Sequence, residues 1–415
     1  MFNRAKDLQL SVIKQMELRA SKYPDVVSLA QGIPSFDTPA GIKRRVENAL
    51  KRGVAGKYSL SPGLPELREM IELSLARENM FYDWQKEIIV TAGSIEAITA
   101  SILAITNPGD EVIMPTPTYT SYREVIVLAG CKPVFVPLNE EKGWSLDLKK
   151  FEEAITPKTK AIFYCNPNNP TGTIYSRREL LELAKLAEEH DLFLISDEVY
   201  KDFVFARNPA MAGRNDAEQR GIFSLAEMPK SKYRKRVIRI FSFSKSYAMT
   251  GWRVGYVHSD ESAIREILKV HDSLVTCAPV ISQYAAMGAL EMGEGDLKNF
   301  VRAFEKRRDL ICSRLDKLSH VFNYVKPNSA YYVFPSITRN YAEKDAELRG
   351  KIEKDKGISW QFALELLDKA QVAVVPGVAF GPNGEGHVRM SFGRSEEDIN
   401  KAFDRMENYF KMSNY

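Results

Sequence analysis

The stretch Arg236-Val-Ile-Arg-Ile-Phe-Ser242-Phe-Ser244-Lys245-Ser-Tyr-Ala-Met-Thr-Gly-Trp-Arg253 runs from apolar, β-branched and aromatic residues into a lysine. An ammonium at the end of a buried strand needs partners, because charge is costly to remove from water. A partly desolvated lysine is also an amine that condenses with an aldehyde to form a Schiff base. Ser242, Ser244 and Arg253 stand close by, two hydroxyls and a guanidinium, the groups that hold a phosphate. An aldehyde that carries a phosphate is pyridoxal 5'-phosphate (PLP). The competing reading is a strand-end lysine at the surface among ordinary serines.

Further residues fit the same chemistry. Asp197 ends a strand-like run in Ile195-Ser-Asp-Glu-Val-Tyr200, where a carboxylate needs a cation. The protonated ring nitrogen of PLP supplies one, and its charge makes the ring an electron sink. Tyr200 could give its phenol to the ring hydroxyl oxygen; a solvated strand-end acid is the alternative for the pair. Asn166-Pro-Asn-Asn169-Pro-Thr-Gly172 forces a turn that leaves an amide free for a ligand. Tyr119, just past Pro115-Thr-Pro-Thr, could stack on a heteroaromatic ring or serve as a core tyrosine. Arg389 in His387-Val-Arg-Met-Ser-Phe392 offers a fork for a carboxylate, or an ordinary salt bridge. Gly93-Ser94-Ile95 opens a helix after a strand, where free N–H groups and the helix dipole favour a phosphate. Gly32 either lets a ligand approach the backbone or simply turns the chain.

The elements that must position these residues alternate. Strand candidates are Glu87–Thr91, Asp110–Met114, Pro133–Val136, Ala161–Cys165, Leu192–Ser196, Val237–Phe241 and Arg253–Val257. Helical patterns lie between several of them, one opened by the capping box Ser176-x-x-Glu179. Apolar strands alternating with helices predict an α/β fold with a mostly parallel sheet covered on both faces. Ligands in such sheets bind beyond the carboxyl ends of the strands, where these polar motifs fall. An amphipathic helix is expected over Asp7 to Tyr23, and one long helical stretch over Pro279 to Leu318. Val325 to Phe334 reads as a strand, and the charged run Tyr341 to Lys356 as an exposed helix or flexible insertion. Ser395-x-x-Asp398 caps a last helix with Ile399, Ala402, Phe403 and Met406 on one side.

Bulk properties exclude other classes. The 415 residues, 44% hydrophobic and 27% charged, are those of a folded globular protein of two or three lobes. A net charge of +4 over 58 basic and 54 acidic residues gives no support for nucleic-acid or membrane binding. Four dispersed cysteines and five scattered histidines match no metal or redox spacing, so no metal is expected and a cytoplasmic location is. No signal peptide and no membrane-spanning run is recognised.

From about Leu29 to the C-terminus the chain resembles the fold-type-I PLP enzymes, specifically the class I/II aminotransferases related to aspartate aminotransferase. The motifs that carry the resemblance are Ser-Phe-Ser-Lys-Ser-Tyr-Ala-Met-Thr-Gly-Trp-Arg, Asn-Pro-Thr-Gly, Ser-Asp-Glu-Val-Tyr and Val-Arg-Met-Ser-Phe, in the family's order. The resemblance implies a large domain over 45–285 with a mostly parallel seven-stranded sheet between helices. A smaller α+β domain would then combine 1–44 and 286–415. It makes Lys245 the PLP lysine, with Ser242, Arg253, Ser244 and the turn Gly93-Ser94-Ile95 on the phosphate. Tyr119 would stack on the ring, Asn169 and Tyr200 would bond the ring hydroxyl, and Asp197 would hold the ring nitrogen. Arg389 would grip the substrate α-carboxylate, with Gly32 lining the substrate site. Tyr58 would reach the phosphate of a neighbouring subunit, which implies a homodimer with shared active sites.

The expected reaction is transamination between an L-amino acid and a 2-oxo acid, with aspartate and 2-oxoglutarate as the first pair to consider. A PLP-dependent C–S β-lyase shares all these residues. A PLP-binding regulator fits less well, since only about thirty residues precede Gly32, too few for a DNA-binding domain and linker.

Overall fold

The computed structural model describes residues 6, 8, 10–205, 222–228, 233–338 and 357–412. The charged run 341–356 lies outside these residues, as does Asp7 at the start of the expected opening helix.

Eight strands are introduced in chain order: β1 (Val27–Ser28), β2 (Ile88–Thr91), β3 (Glu111–Thr116), β4 (Lys132–Pro137), β5 (Thr159–Cys165), β6 (Phe193–Asp197), β7 (Val237–Ser242) and β8 (Gly255–His258). All but β1 form one seven-stranded sheet in the order β2-β8-β7-β6-β5-β3-β4. Strands β3 to β7 pair in parallel, and β8 runs antiparallel to both β7 and β2. Residues of β2, β3, β7 and β8 are buried throughout, as strands covered on both faces must be. Side chains such as Phe163 and Ile195 are fully enclosed, each contributing roughly 1.5–3 kcal/mol.

The helices between strands follow their sequence signals. Glu179 N–H donates to Ser176 Oγ at 3.2 Å and Ser176 N–H to Glu179 Oε2 at 2.7 Å, starting the helix Arg177–Glu189. One consequence of the topology matters most for function. Strands β2, β3, β5, β6 and β7 all point the same way, so Thr91, Thr116, Cys165, Asp197 and Ser242 end on one edge of the sheet. The loops that leave these ends carry most of the candidate site.

A smaller α+β layer adjoins this sheet. Here β1 pairs in parallel with Val372–Ala373, and Tyr332–Val333, Val388–Ser391 and Val375–Pro376 form a three-stranded antiparallel sheet. The helix Glu396–Met412 covers it, its first turn held by Asp398 N–H on Ser395 Oγ at 3.0 Å. Ile399, Ala402, Phe403 and Met406 are buried, the face expected from their spacing.

Three expectations are corrected. The opening helix is shorter, Val12–Ala20. The stretch from Pro279 breaks into two helices, Val280–Glu291 and Glu294–Lys317, because Met292 and Gly293 take extended backbone angles. Of Val325 to Phe334 only Tyr332–Val333 is strand; Ala330 adopts φ 57°, and backbone groups here bond to Gly172, Phe203 and Phe205 instead of a ladder. Among the described residues, no helix is long and apolar enough to cross a membrane.

Candidate active site

The site is built from loops at the carboxyl edge of the sheet. After β7 the chain turns into the short helix Phe243–Ser246, which brings Lys245 out of the strand. Its Nζ donates to the Gly32 carbonyl oxygen at 2.6 Å. Burial, together with the positive charges of Arg389 and Arg253, brings the amine down to about 7, while Asp197 pulls the other way. A neutral amine near pH 7 is a nucleophile and a base, which an ordinary lysine is not.

Asp197, at the end of β6, is 3% exposed. Its Oδ2 accepts from Tyr122 Oη at 2.7 Å and its Oδ1 from Val199 N–H at 3.2 Å. Among the described residues it has no ion pair. Burial therefore pushes its carboxyl up to about 6, against the pull of those two hydrogen bonds. The next residue, Glu198, is fixed by Arg239 Nε at 2.5 Å and by the hydroxyls of Ser196 and Ser224, which anchors the strand end.

Asn169 joins two other candidates. Its amide nitrogen lies 3.4 Å from Tyr200 Oη, and its amide oxygen accepts from Arg389 Nη1 at 3.1 Å. Arg389 is buried on the strand Val388–Ser391, with Nη2 donating to the Ala30 carbonyl at 2.5 Å and Nε without a partner among the described residues. Its guanidinium stands 4.5 Å from the Tyr332 ring and 5.0 Å from that of Phe380. Tyr200 Oη also meets Tyr332 Oη at 3.0 Å, and burial holds Tyr200 far above the usual phenol range, so it stays protonated.

A second group forms a cradle. Ser242 and Ser244 hydroxyls are 2.8 Å apart. Arg253, in the left-handed region at φ 54°, donates to the Thr250 carbonyl at 3.0 Å and reaches the Ala92 carbonyl at 3.4 Å. Gly93, at φ 84°, precedes the helix Ser94–Ile105; a Cβ there would come within 2.4 Å of Arg253 Nη2. Only glycine lets the guanidinium and the helix N-terminus converge.

These features fit PLP. The buried Asp197 carboxylate, without an ion pair among the described residues, matches a protonated ring nitrogen. The convergence of hydroxyls, guanidinium and helix N–H groups matches a phosphate. The depressed Lys245 amine matches an aldehyde.

Direct hydrogen bonds join Lys245 to Gly32, and Asn169 to both Tyr200 and Arg389; Lys245 Nζ lies 6.0 Å from the Tyr200 ring, and the Arg253 guanidinium packs against Gly93. Tyr119 sits beside them, its ring 5.4 Å from that of Tyr122. Tyr58 is 85% exposed, and among the described residues none of the site's bonds reaches it. Sequence reasoning missed Tyr122, Tyr331 and Tyr332. Tyr331 Oη donates to the Gly32 carbonyl at 3.0 Å, and a Cβ on Gly32 would lie 2.1 Å from Tyr332 Oη. A signal existed for Tyr122, one helical turn beyond Tyr119; the pair at 331–332 was hidden in an apolar run.

Comparison with known proteins agrees with this geometry. The family model "Aminotransferase class I and II" matches residues 24–406. An aspartate aminotransferase of Pyrococcus abyssi is 37% identical over 407 residues, covering 96% of each chain. An aromatic-amino-acid aminotransferase of Thermococcus litoralis is 35% identical over 414 residues, covering 97% of each. The structure of Thermus thermophilus aspartate aminotransferase with maleate superposes with a TM-score of 0.86 at 32% identity, over 99% of both chains.

Fold and site together define a PLP enzyme of fold type I. Within that class, the chain belongs to the class I and II aminotransferases, the superfamily of aspartate aminotransferase. It is a PLP-dependent aminotransferase.

Proposed function

We propose that the enzyme transfers an amino group from an L-amino acid to a 2-oxo acid in a ping-pong cycle, with Lys245 as both the PLP-bonding residue and the catalytic base. The observation that carries this reading is the amine of Lys245, buried and held by the Gly32 carbonyl at 2.6 Å, and lowered to about 7 by burial and the charges of Arg389 and Arg253. When bound, PLP supplies an electron sink that acidifies the substrate Cα–H and carries the amino group between half-reactions.

The chain's own residues do the rest. Ser242, Ser244, Arg253 and the N–H groups at Gly93-Ser94-Ile95 would hold the phosphate. Asp197, supported by Tyr122, would keep the ring nitrogen protonated, Tyr200 and Asn169 would bond the ring hydroxyl oxygen, and Tyr119 would stack on the ring. Arg389 grips the α-carboxylate and so turns the Cα–H bond toward Lys245. The Lys245 Nζ then removes the Cα proton as general base and holds it for return as general acid. Gly32 lends its backbone to the floor of the substrate site.

The exposed Tyr58 fits a homodimer in which it reaches the partner's phosphate. On this reading 45–285 bind the cofactor, and 1–44 with 286–415 form the smaller domain. Aspartate with 2-oxoglutarate is the first pair to assay. The test is amino-group transfer in the presence and absence of a 2-oxo acid. Turnover that needs the acceptor supports transamination; sustained oxo-acid release without one indicates a C–S β-lyase instead.

A further inference from the structure

We propose, resting on the aminotransferase reading above, that the preferred amino donor carries an aromatic side chain, received by a cleft of about 890 Å³ beside the reaction site. The cleft shares two of its lining residues with the surroundings of that site. Tyr119 forms part of its wall, and so does Phe380, whose ring lies 5.0 Å from the Arg389 guanidinium. Thr118 N–H donates to the Phe380 carbonyl at 2.9 Å, tying the two walls together. An amino acid held at Arg389 therefore has this space next to it for its side chain.

The chemistry of the walls selects the class. Rings of Tyr119, Phe135, Trp360 and Phe380 surround the cleft, and Leu10, Val12 and Val378 add aliphatic surface. Its charged residues among those described are Arg123 and Glu124, bonded to each other at 2.6 Å. A second substrate carboxylate would meet no unneutralised cation there, and would lie near the carboxylate of Glu124. Burying it would cost more than its contacts return.

Two wall hydroxyls refine the choice. Among the described residues, Thr118 Oγ1 and Thr120 Oγ1 are buried without a hydrogen-bond partner, and Thr118 is only 3% exposed. A hydroxyl cannot neutralise a carboxylate, but it can bond a phenol oxygen or an indole N–H. Flat rings stacked among aromatic walls, with a polar edge at these threonines, satisfy both features.

The test uses the PLP-loaded enzyme. Spectroscopic half-reactions with L-tyrosine, L-tryptophan, L-phenylalanine, L-aspartate and L-alanine should give the aromatic donors at least tenfold higher kcat/KM than aspartate. Calorimetry should show the unreactive 3-(4-hydroxyphenyl)propanoate binding at least tenfold tighter than succinate. Val378, 38% exposed, can be enlarged at the surface without breaking the core. Val378→Trp should cost the aromatic donors about tenfold and leave alanine unchanged. Thr118→Val should weaken tyrosine and spare phenylalanine. Aspartate outperforming every aromatic donor, or Val378→Trp lowering alanine and aromatics alike, overturns the proposal while transamination stands. No conversion of any donor removes the aminotransferase reading and this proposal with it.

Discussion

Lys245 Nζ donates to the carbonyl oxygen of Gly32 at 2.6 Å, a bond between residues 213 positions apart. The Lys245 amine is thereby aimed by the N-terminal loop as well as by its own strand. That loop tolerates no side chain at residue 32, since a Cβ would meet Tyr332 Oη at 2.1 Å. Gly32→Ala should destabilise the protein by about 1–3 kcal/mol through this overpacking. Because Tyr332 also touches Tyr200, kcat should fall about tenfold or more, checked by urea unfolding and steady-state kinetics side by side.

Lys245 also leaves a signature in stability. Its folded amine is brought down to about 7 from 10.5, so the unfolded chain binds the proton more tightly. The resulting penalty is fully present at and below pH 7 and disappears as pH rises to the unfolded value. Lys245→Met should therefore stabilise the cofactor-free protein by roughly 2–4 kcal/mol at pH 7 and by little near pH 10.5. Melting curves at both pH values measure it, and the same variant should be inactive.

Asp197 carries the opposite sign. Its carboxyl is pushed up to about 6 from 3.8, so the fold holds that proton more tightly than the unfolded chain does. Stability is lost as pH climbs from about 4 to 6 and stays lower above. Asp197→Asn should make the cofactor-free protein roughly 2–3 kcal/mol more stable at pH 7. Turnover should nonetheless fall at least a hundredfold, because an amide does not hold the ring nitrogen protonated. Thermal melts and kcat measured on one preparation separate the two effects.

Arg389 is placed for recognition, with Nη1 on Asn169 and its plane against Tyr332. Arg389→Ala removes a charged fork worth about 3 kcal/mol or more to a carboxylate. KM for the amino donor should rise a hundredfold or more, with melting temperature changed much less. Equal losses with an amine that lacks the carboxylate would show that the residue acts on the fold instead.

Much of this arrangement was legible in sequence because parallel sheets gather their strand ends. Apolar runs located β3, β5, β6 and β7, and the polar residues that follow each run had to converge on one edge. Asp197, Asn169, Tyr200 and Lys245 were singled out that way; Arg389 and Gly32, in the distant smaller layer, were read from their own chemistry, and the resemblance gave them roles and added Tyr58. What remained hidden depends on contacts between remote segments. Tyr122 reaches Asp197 across 75 positions, and Tyr331 and Tyr332 fold onto Gly32 from a stretch whose strand pattern is broken at Ala330. The break at Gly293 was likewise invisible, since the flanking residues keep helical periodicity on both sides.

The central claim is that the amine of residue 245 bonds PLP. Borohydride reduction of the PLP-loaded enzyme, followed by digestion and mass spectrometry, tests it most directly. The account predicts one phosphopyridoxyl group per chain, on the peptide that contains Lys245, and none in Lys245→Met. Labelling of another lysine, or a protein that stays colourless and unlabelled with PLP in excess, would contradict it.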